Sequence, residues 1–117
     1  MNEAKYFLCR LIYDYLDFLK NIKGLSKNTT VSYQRDLNKL SNFLEASGIN
    51  SFNDLTEEIC SAWIADLFQH NVSARSIQRH ISSAKGFFNY LKKIGLVTDS
   101  PFDLISSPKS PSHLPRV

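Results

Sequence analysis

Apolar residues recur along this chain at steps of three and four positions, the spacing of one face of an α-helix. The two clearest series are Tyr33, Leu37, Leu40 and Leu44, and Ile77, Ile81, Ala84, Phe88 and Leu91. Similar spacing occurs near the start of the chain and around Trp63, whereas no alternating, strand-like run is present. The pattern therefore predicts an all-α fold, a four-helix bundle with Trp63 in its core.

Capping and helix-breaking residues indicate where the helices begin and end. The candidate N-caps are Ser26 or Asn28 for the second helix, Thr56 for the third and Ser73 for the fourth. The glycines that follow helices are Gly24, Gly48 and Gly95. Gly86 falls inside the fourth helix, where it costs about 1 kcal/mol relative to Ala. It permits either close helix packing or the approach of another backbone.

The apolar faces of the first and third helices are less sharply defined. In the first helix a broad apolar stripe runs from Phe7 to Ile22. In the third we expect inward positions at Ile59, Ala62, Trp63, Leu67 and Phe68. Cys9 and Cys60 lack metal-binding spacing, so they indicate buried thiols in a reducing compartment.

The chain changes character near its end. Pro101 can begin a short helical turn that ends near Ile105. Residues 106–117 are rich in Ser and Pro, a composition typical of linkers. We therefore predict a helical domain over residues 1–105 and a linker over residues 106–117, leading to a further domain. The 117 residues suit one core, no segment resembles a membrane span or a signal peptide, and a cytoplasmic location is expected.

Charges are sorted along the sequence, although the net charge is only +3. Residues 73–95 contain five cations and no carboxylate, whereas residues 49–72 contain four carboxylates and no Lys or Arg. A solvated surface normally mixes its charges. The sorting indicates either a cationic surface for a polyanion or an acidic helix paired with a basic one.

The sequence contains no group of residues with the spacing of a known catalytic or metal-binding motif. His70, His80 and His113 lack partners at metal-ligand spacing, and no phosphate loop, dinucleotide motif or nucleophile motif occurs. The adjacent Glu57 and Glu58 are better explained as first-turn residues that complement the helix dipole. We expect no cofactor, no metal, no small-molecule substrate and no catalytic residue in this chain.

Two helix starts instead combine cations with small hydroxyl and amide side chains, which suits contact with phosphates and base edges. The candidates for phosphate contact are Lys27, Thr29, Arg35 and Lys85. The candidates for base-edge contact, or for mixed base and phosphate contact, are Asn28, Ser32, Arg75, Ser76 and Arg79. We also expect His80 and Ser83 to lie largely outside the apolar face of the fourth helix. Together these residues predict a domain that binds double-stranded DNA.

The same segments resemble the N-terminal core-binding domain of tyrosine recombinases, a SAM-like helical fold. The matching stretches are Leu25-Ser26 to Leu37, Leu55-Thr56, Ser73 to Ser83, Phe87 to Leu91, and Ser107 to Pro115. Tyr33-Gln34-Arg35 and the Pro108 to Pro115 ending resemble the Xer type, XerC more than XerD. The departures are Gly86, where the family often has a polar or basic residue, and an unusually aromatic first helix.

The resemblance implies one half of a clamp around DNA, with the second and fourth helices facing the major groove and the first helix contacting neighbouring recombinase subunits. The Arg/His/Tyr machinery would belong to a catalytic domain beyond the linker. Two alternatives remain: a protein-interaction module for subunit assembly, and the equivalent domain of a phage or integron integrase. We expect the isolated domain to be a monomer.

Overall fold

A computed structural model describes the backbone of residues 3–105 and the side chains of residues 7–103 and 105. The helices are α1 (Glu3–Asn21), α2 (Lys27–Ala46), α3 (Glu57–Gln69) and α4 (Ala74–Lys93). Two short 3₁₀ turns, Phe52–Asp54 and Pro101–Leu104, complete the described chain. The all-α prediction is confirmed for this part of the chain, and the predicted linker lies outside it.

Side-chain caps fix the starts of three helices. Ser26, rather than Asn28, caps α2, because its Oγ accepts a hydrogen bond from the Thr29 backbone N–H at 3.2 Å. Thr56 caps α3 and Ser73 caps α4 in the same way. Each cap satisfies a backbone donor that has no partner within the helix. The predicted starts of α3 and α4 are confirmed.

The ends of the helices also follow the predicted signals. Gly24 and Gly95 adopt φ values of 73° and 82°, a left-handed conformation that favours glycine. Pro101 occupies the first turn of the second 3₁₀ segment, where its missing N–H costs no hydrogen bond.

The core lies where the four helices and the second 3₁₀ turn meet. All five residues of the α4 series are fully buried, and Trp63 is 1% exposed. On α3 the inward positions are Cys60, Trp63 and Leu67. The prediction that Ala62 and Phe68 point inward is wrong, since each lies about 100° around the helix from an inward neighbour.

The apolar stripe of α1 is only partly buried. Leu8, Leu11, Ile12, Tyr15 and Leu19 belong to the core. Phe7 and Ile22, at the two ends of the stripe, are 46% and 73% exposed. Of the two cysteines, Cys60 is buried and Cys9 is half-buried, so the prediction of two buried thiols is confirmed only for Cys60.

Gly86 is a packing site for α1. The Tyr15 ring lies with its centroid 5.4 Å from that of Phe87 and 5.2 Å from that of Tyr90. A Cβ at position 86 would approach Tyr15 Oη to 2.7 Å. Burial raises the pKa of the Tyr15 hydroxyl to about 12. Of the two roles predicted for Gly86, the structure supports close helix packing.

We expect the effect of Gly86→Ala on stability to depend on residue 15. With Tyr15 present, the clash with Oη cancels or exceeds the gain of about 1 kcal/mol in helix propensity. In a Tyr15→Phe background the nearest ring atom would be Cζ, 3.9 Å from the new Cβ. There Gly86→Ala should stabilise the protein by about 0.5–1 kcal/mol. Urea unfolding of the four proteins measures this, and equal stabilisation in both backgrounds would contradict it.

Candidate nucleic-acid interface

A buried carboxylate lies on the helix that carries the first cationic cluster. Asp36 is 1% exposed and shares the apolar face of α2 with Leu37 and Leu40. An ionised carboxylate in such a place is strongly destabilising unless cations and hydrogen-bond donors compensate it. Its partners therefore determine how α2 and α4 fit together.

Arg79 of α4 supplies the compensating charge. Its Nε donates to Asp36 Oδ2 at 2.9 Å and its Nη2 donates to Oδ1 at 2.8 Å, a bidentate ion pair. Ser83 Oγ donates to the same Oδ2 at 3.0 Å. The hydrogen bond to Asp36 raises the pKa of the Arg79 guanidinium. The Arg79 side chain is nevertheless 45% exposed, so it bridges the buried carboxylate and the surface.

His80 and Ser83 do not lie on the exposed face of α4 as predicted, because both are 1% exposed. His80 Nδ1 lies 2.6 Å from the Ser76 carbonyl oxygen, which assigns the proton to Nδ1 because a carbonyl can only accept. Its Nε2 lies 3.5 Å from Asp36 Oδ1 without a hydrogen bond. Ser83 therefore supports Asp36 from inside the bundle, whereas the His80 ring packs beside the carboxylate without donating to it.

The helices α2 and α4 run in opposite directions where they pack. Tyr33, near the start of α2, lines a surface cavity of about 400 Å³ together with Asn89 and Lys93 at the end of α4. Asp36, one turn further along α2, contacts Arg79 and Ser83, earlier in α4. The first residues of the two helices therefore lie at opposite ends of the contact, and the two predicted clusters meet at the Asp36–Arg79 pair.

One side of this helix pair carries a row of exposed polar and charged side chains, which Tyr15 of α1 interrupts at Gly86. At about 100° per residue, Asn28, Ser32, Arg35 and Lys39 of α2 fall within about 60° of one another, on the solvent side of Asp36. Arg75, Arg79, Ser82 and Lys93 of α4 form the matching strip on the solvent side of Ser83. We call these eight residues the α2–α4 face. All of them are at least partly exposed.

Five of the nine candidate residues belong to this face: Asn28, Ser32, Arg35, Arg75 and Arg79. The other four, Lys27, Thr29, Ser76 and Lys85, point about 60° or more away from the middle of their strip. Thr29 is also bound locally, since its Oγ1 accepts from Ser26 Oγ at 3.0 Å. Their assignment as DNA contacts stays a prediction, with less geometric support.

Lys39, Ser82 and Lys93 join the face without having been selected as contacts from the sequence. Lys39 follows Arg35 by four residues, about one helical turn, so it lies on the same face of α2. The helical periodicity of the sequence could therefore have identified Lys39 as a member of this face. Asp36 also left a sequence signal, because it is a carboxylate within the apolar series of α2. A carboxylate at such a position indicates a buried ion pair, although not its partner.

The cations of α4 are not neutralised by α3. Among residues 3–105, no ion pair joins Glu57, Glu58 or Asp66 to a cation of α4. Glu57 and Glu58 lie in the first turn of their own helix, as predicted. The alternative that an acidic helix pairs with a basic one is therefore wrong for the described chain. The cationic surface is left exposed.

A metal centre and a membrane span are two other kinds of site to compare with the described region. Among the side chains of residues 7–103 and 105, no group of three His, Cys, Asp or Glu residues could hold a metal ion. In the same region no helix is long and apolar enough to span a bilayer.

Comparison with known proteins agrees with the helical arrangement. The family described as "Phage integrase, N-terminal SAM-like domain" matches residues 12–95. The tyrosine recombinase XerD of Listeria monocytogenes serotype 4b (strain F2365) is 37% identical over 108 residues, which are 92% of this chain and 36% of that protein. No solved structure matches the chain significantly.

Two XerC proteins are also similar. Tyrosine recombinase XerC of Pseudomonas aeruginosa (strain LESB58) is 33% identical over 102 residues, which are 87% of this chain and 34% of that protein. The XerC of Bacillus subtilis (strain 168) is 28% identical over 116 residues, 99% of this chain and 37% of that protein. The chain thus spans about a third of the length of these relatives. Since they carry both names, the preference for XerC over XerD stays a prediction.

We expect the two halves of the ion pair to differ in their effect on stability. Arg79→Ala leaves the buried Asp36 carboxylate without its cation and should cost about 3–5 kcal/mol of unfolding free energy. Asp36→Asn removes the buried charge, and the half-exposed Arg79 can then turn to water, so the cost should be about 1–3 kcal/mol. Guanidinium chloride unfolding measures both variants. An equal or reversed order would contradict the buried carboxylate as the critical member.

Proposed function

Because the chain belongs to the phage integrase N-terminal SAM-like domain family, we propose that it is the DNA-binding domain of a Xer-like site-specific tyrosine recombinase. Its partner is double-stranded DNA at a recombination site. The parent protein would use this domain as one half of a clamp, while a separate catalytic domain breaks and rejoins the strands. Resolution of chromosome dimers or integration of DNA would be its biological role.

The α2–α4 face is the observation that carries this proposal. It presents five cations, Arg35, Lys39, Arg75, Arg79 and Lys93. Between Lys27 and Leu44 on α2, and along the whole of α4, the one carboxylate is the buried Asp36. Asp36 compensates Arg79, whereas the other four cations repel one another unless an anion lies against them. A DNA backbone supplies regularly spaced phosphates for such a surface.

The face also carries the side chains required for base recognition. Asn28 and Ser32 on α2, and Ser82 on α4, are neutral donors and acceptors placed among the cations. Arginine pairs in bidentate fashion with guanine, and asparagine with adenine, in the major groove. An α-helix fits that groove, so two crossed helices can reach successive base edges. We assign Arg35 and Lys39 to phosphates, and Asn28, Ser32, Arg75 and Arg79 to base edges.

We expect this chain to bind duplex DNA with a steep salt dependence and with sequence preference. Selection from a randomised duplex library should enrich one sequence, and fluorescence anisotropy should show tighter binding to it than to a scrambled duplex. Arg75→Ala should weaken specific binding by about 1–3 kcal/mol. Lys39→Ala should reduce the log–log salt slope by about 0.9, because one phosphate contact is lost.

Lys92→Ala is the matched control for Lys39→Ala. Lys92 is an exposed lysine on α4 that points away from the α2–α4 face, so its removal should leave the salt slope almost unchanged. If no duplex binds even at low salt, the proposed function fails for this chain. If Lys92→Ala and Lys39→Ala change the slope equally, binding is diffuse and the α2–α4 face is not the site.

A second candidate function, subunit assembly, is favoured by a separate surface. Tyr13 of α1 is 65% exposed and Val31 of α2 is 40% exposed, and both line a shallow groove between these helices. Exposed apolar side chains grouped in this way mark possible contact sites for other proteins. The partner would be another recombinase subunit, of the same or a related kind.

If this groove mediates assembly, a Tyr13→Ser, Val31→Ser double variant should lose cooperative binding to a duplex with two half-sites. Affinity for a single half-site should stay the same, and unfolding free energy should change by less than about 1 kcal/mol, because both residues are exposed. Electrophoretic mobility shift titrations measure the cooperativity. Leu11→Ser is the contrasting control, since it introduces a hydroxyl into the core and should unfold the domain. Unchanged cooperativity in the double variant would exclude the groove.

A further inference from the structure

Arg79 differs from the other arginines of the α2–α4 face because a buried carboxylate holds it. Among the described side chains, those of residues 7–103 and 105, Arg35 and Arg75 have no ion-pair partner. An unpaired surface arginine samples many rotamers, and a bound one has lost most of that freedom. Arg79 therefore presents a fixed geometry to a ligand, whereas Arg35 and Arg75 must be ordered when the ligand binds.

The ion pair occupies only one edge of the guanidinium. Of its five N–H groups, Asp36 takes one from Nε and one from Nη2. A planar guanidinium held along this edge directs its terminal edge, with one N–H from each terminal nitrogen, away from the carboxylate. Two parallel N–H groups match the O6 and N7 acceptors of guanine. The 45% exposure of the side chain is consistent with access to that terminal edge.

Asp36 cannot turn aside when DNA approaches. It is 1% exposed, Ser83 Oγ donates to its Oδ2 at 3.0 Å, and the His80 ring lies against its other oxygen. Ser83 and His80 are themselves buried within α4. The orientation of Arg79 is thus determined by the packing of α2 against α4, and it is set before any ligand binds.

The charge of Asp36 also changes what Arg79 can recognise. A carboxylate at 2.8 Å nearly cancels the net charge of the guanidinium at the distance of a DNA phosphate. The attraction for phosphate is weakened, while the directional donors remain. A neutral pair with two fixed donors favours a base edge over a phosphate group.

We propose that Asp36 is a positioning residue for DNA sequence recognition, which fixes Arg79 so that its terminal edge reads a guanine in the major groove. This inference rests on the proposed DNA-binding function. It assigns sequence discrimination at one G·C pair to a carboxylate that does not itself touch DNA. Salt-dependent affinity is left to the unpaired cations.

The test measures two properties of the full 117-residue chain. One is its discrimination between base pairs at a single position of the duplex, and the other is its overall affinity for duplex DNA. The enriched duplex is compared with duplexes in which each G·C pair is changed in turn, by anisotropy across a salt series. The wild-type chain should lose about 5- to 150-fold in affinity at the pair that Arg79 reads. Asp36→Asn should reduce this ratio to below about 3-fold at that pair. Affinity for a scrambled duplex should stay equal or rise, with a salt slope steeper by up to about 0.9.

Arg79→Lys keeps the ion pair and the fold but removes the planar fork, so it provides a test that does not depend on the stability of Asp36→Asn. The Arg79→Lys variant should no longer discriminate between base pairs at the position that Arg79 reads, and its log–log salt slope should equal that of the wild-type chain. Adding Asp36→Asn to Arg79→Lys should cause no further loss of discrimination, because Asp36 acts through Arg79. Circular dichroism melting verifies that each variant is folded.

Three results would overturn the inference. Full discrimination in Arg79→Lys would show that no guanidinium fork reads the base pair. A parallel fall in affinity for enriched and scrambled duplexes, in folded Asp36→Asn, would assign Asp36 to structure alone. A salt slope that falls by about 0.9 in Arg79→Ala without loss of discrimination would assign Arg79 to a phosphate. Absence of duplex binding by the wild-type chain is distinct, because it refutes the proposed function itself.

Discussion

The buried ion pair between Asp36 and Arg79 is the interaction on which the arrangement of this domain depends. A carboxylate inside the α2–α4 contact is tolerated only when a cation and further donors reach it. Arg79 and Ser83 meet that requirement from adjacent turns of α4, and they do so in one relative placement of the helices. The same placement decides which side chains of both helices face solvent. An energetic requirement of the core thereby shapes the outer surface.

Apart from Arg79, the cations of that surface have no ion-pair partner among the described side chains, although acidic residues exist elsewhere in the domain. Glu57 and Glu58 stabilise the start of α3, and no carboxylate of α3 forms an ion pair with α4 in the described chain. Repulsion among exposed cations lowers stability by a modest amount, which a partner of opposite charge can reverse. Such an arrangement is typical of a binding site whose exposed charges lower the stability of the free protein and attract an oppositely charged ligand. It is the physical basis for proposing DNA as the partner.

The first helix has a different role. Tyr15 fits against Gly86, which lets α1 approach α4 closely, and the aromatic rings of Phe87 and Tyr90 enclose it. The opposite side of α1 leaves Tyr13 exposed beside α2. Contacts with DNA and contacts with another subunit can therefore occupy separate surfaces of one small domain.

Helix type, number and boundaries were determined by the sequence itself, because capping, glycine termination and three-four periodicity act over a few neighbouring residues. Ser73, Gly95 and the Ile77 to Leu91 series each carry that local information. The clustering of Lys and Arg on α2 and α4 could also be identified from the sequence. Only the tertiary structure decided that Asp36 pairs with Arg79, that His80 and Ser83 are buried, and that Lys39 joins the exposed face while Lys85 points away. Those outcomes depend on residues 43 to 47 positions apart meeting across a helix crossing, and periodicity within a single helix carries no information about its partner.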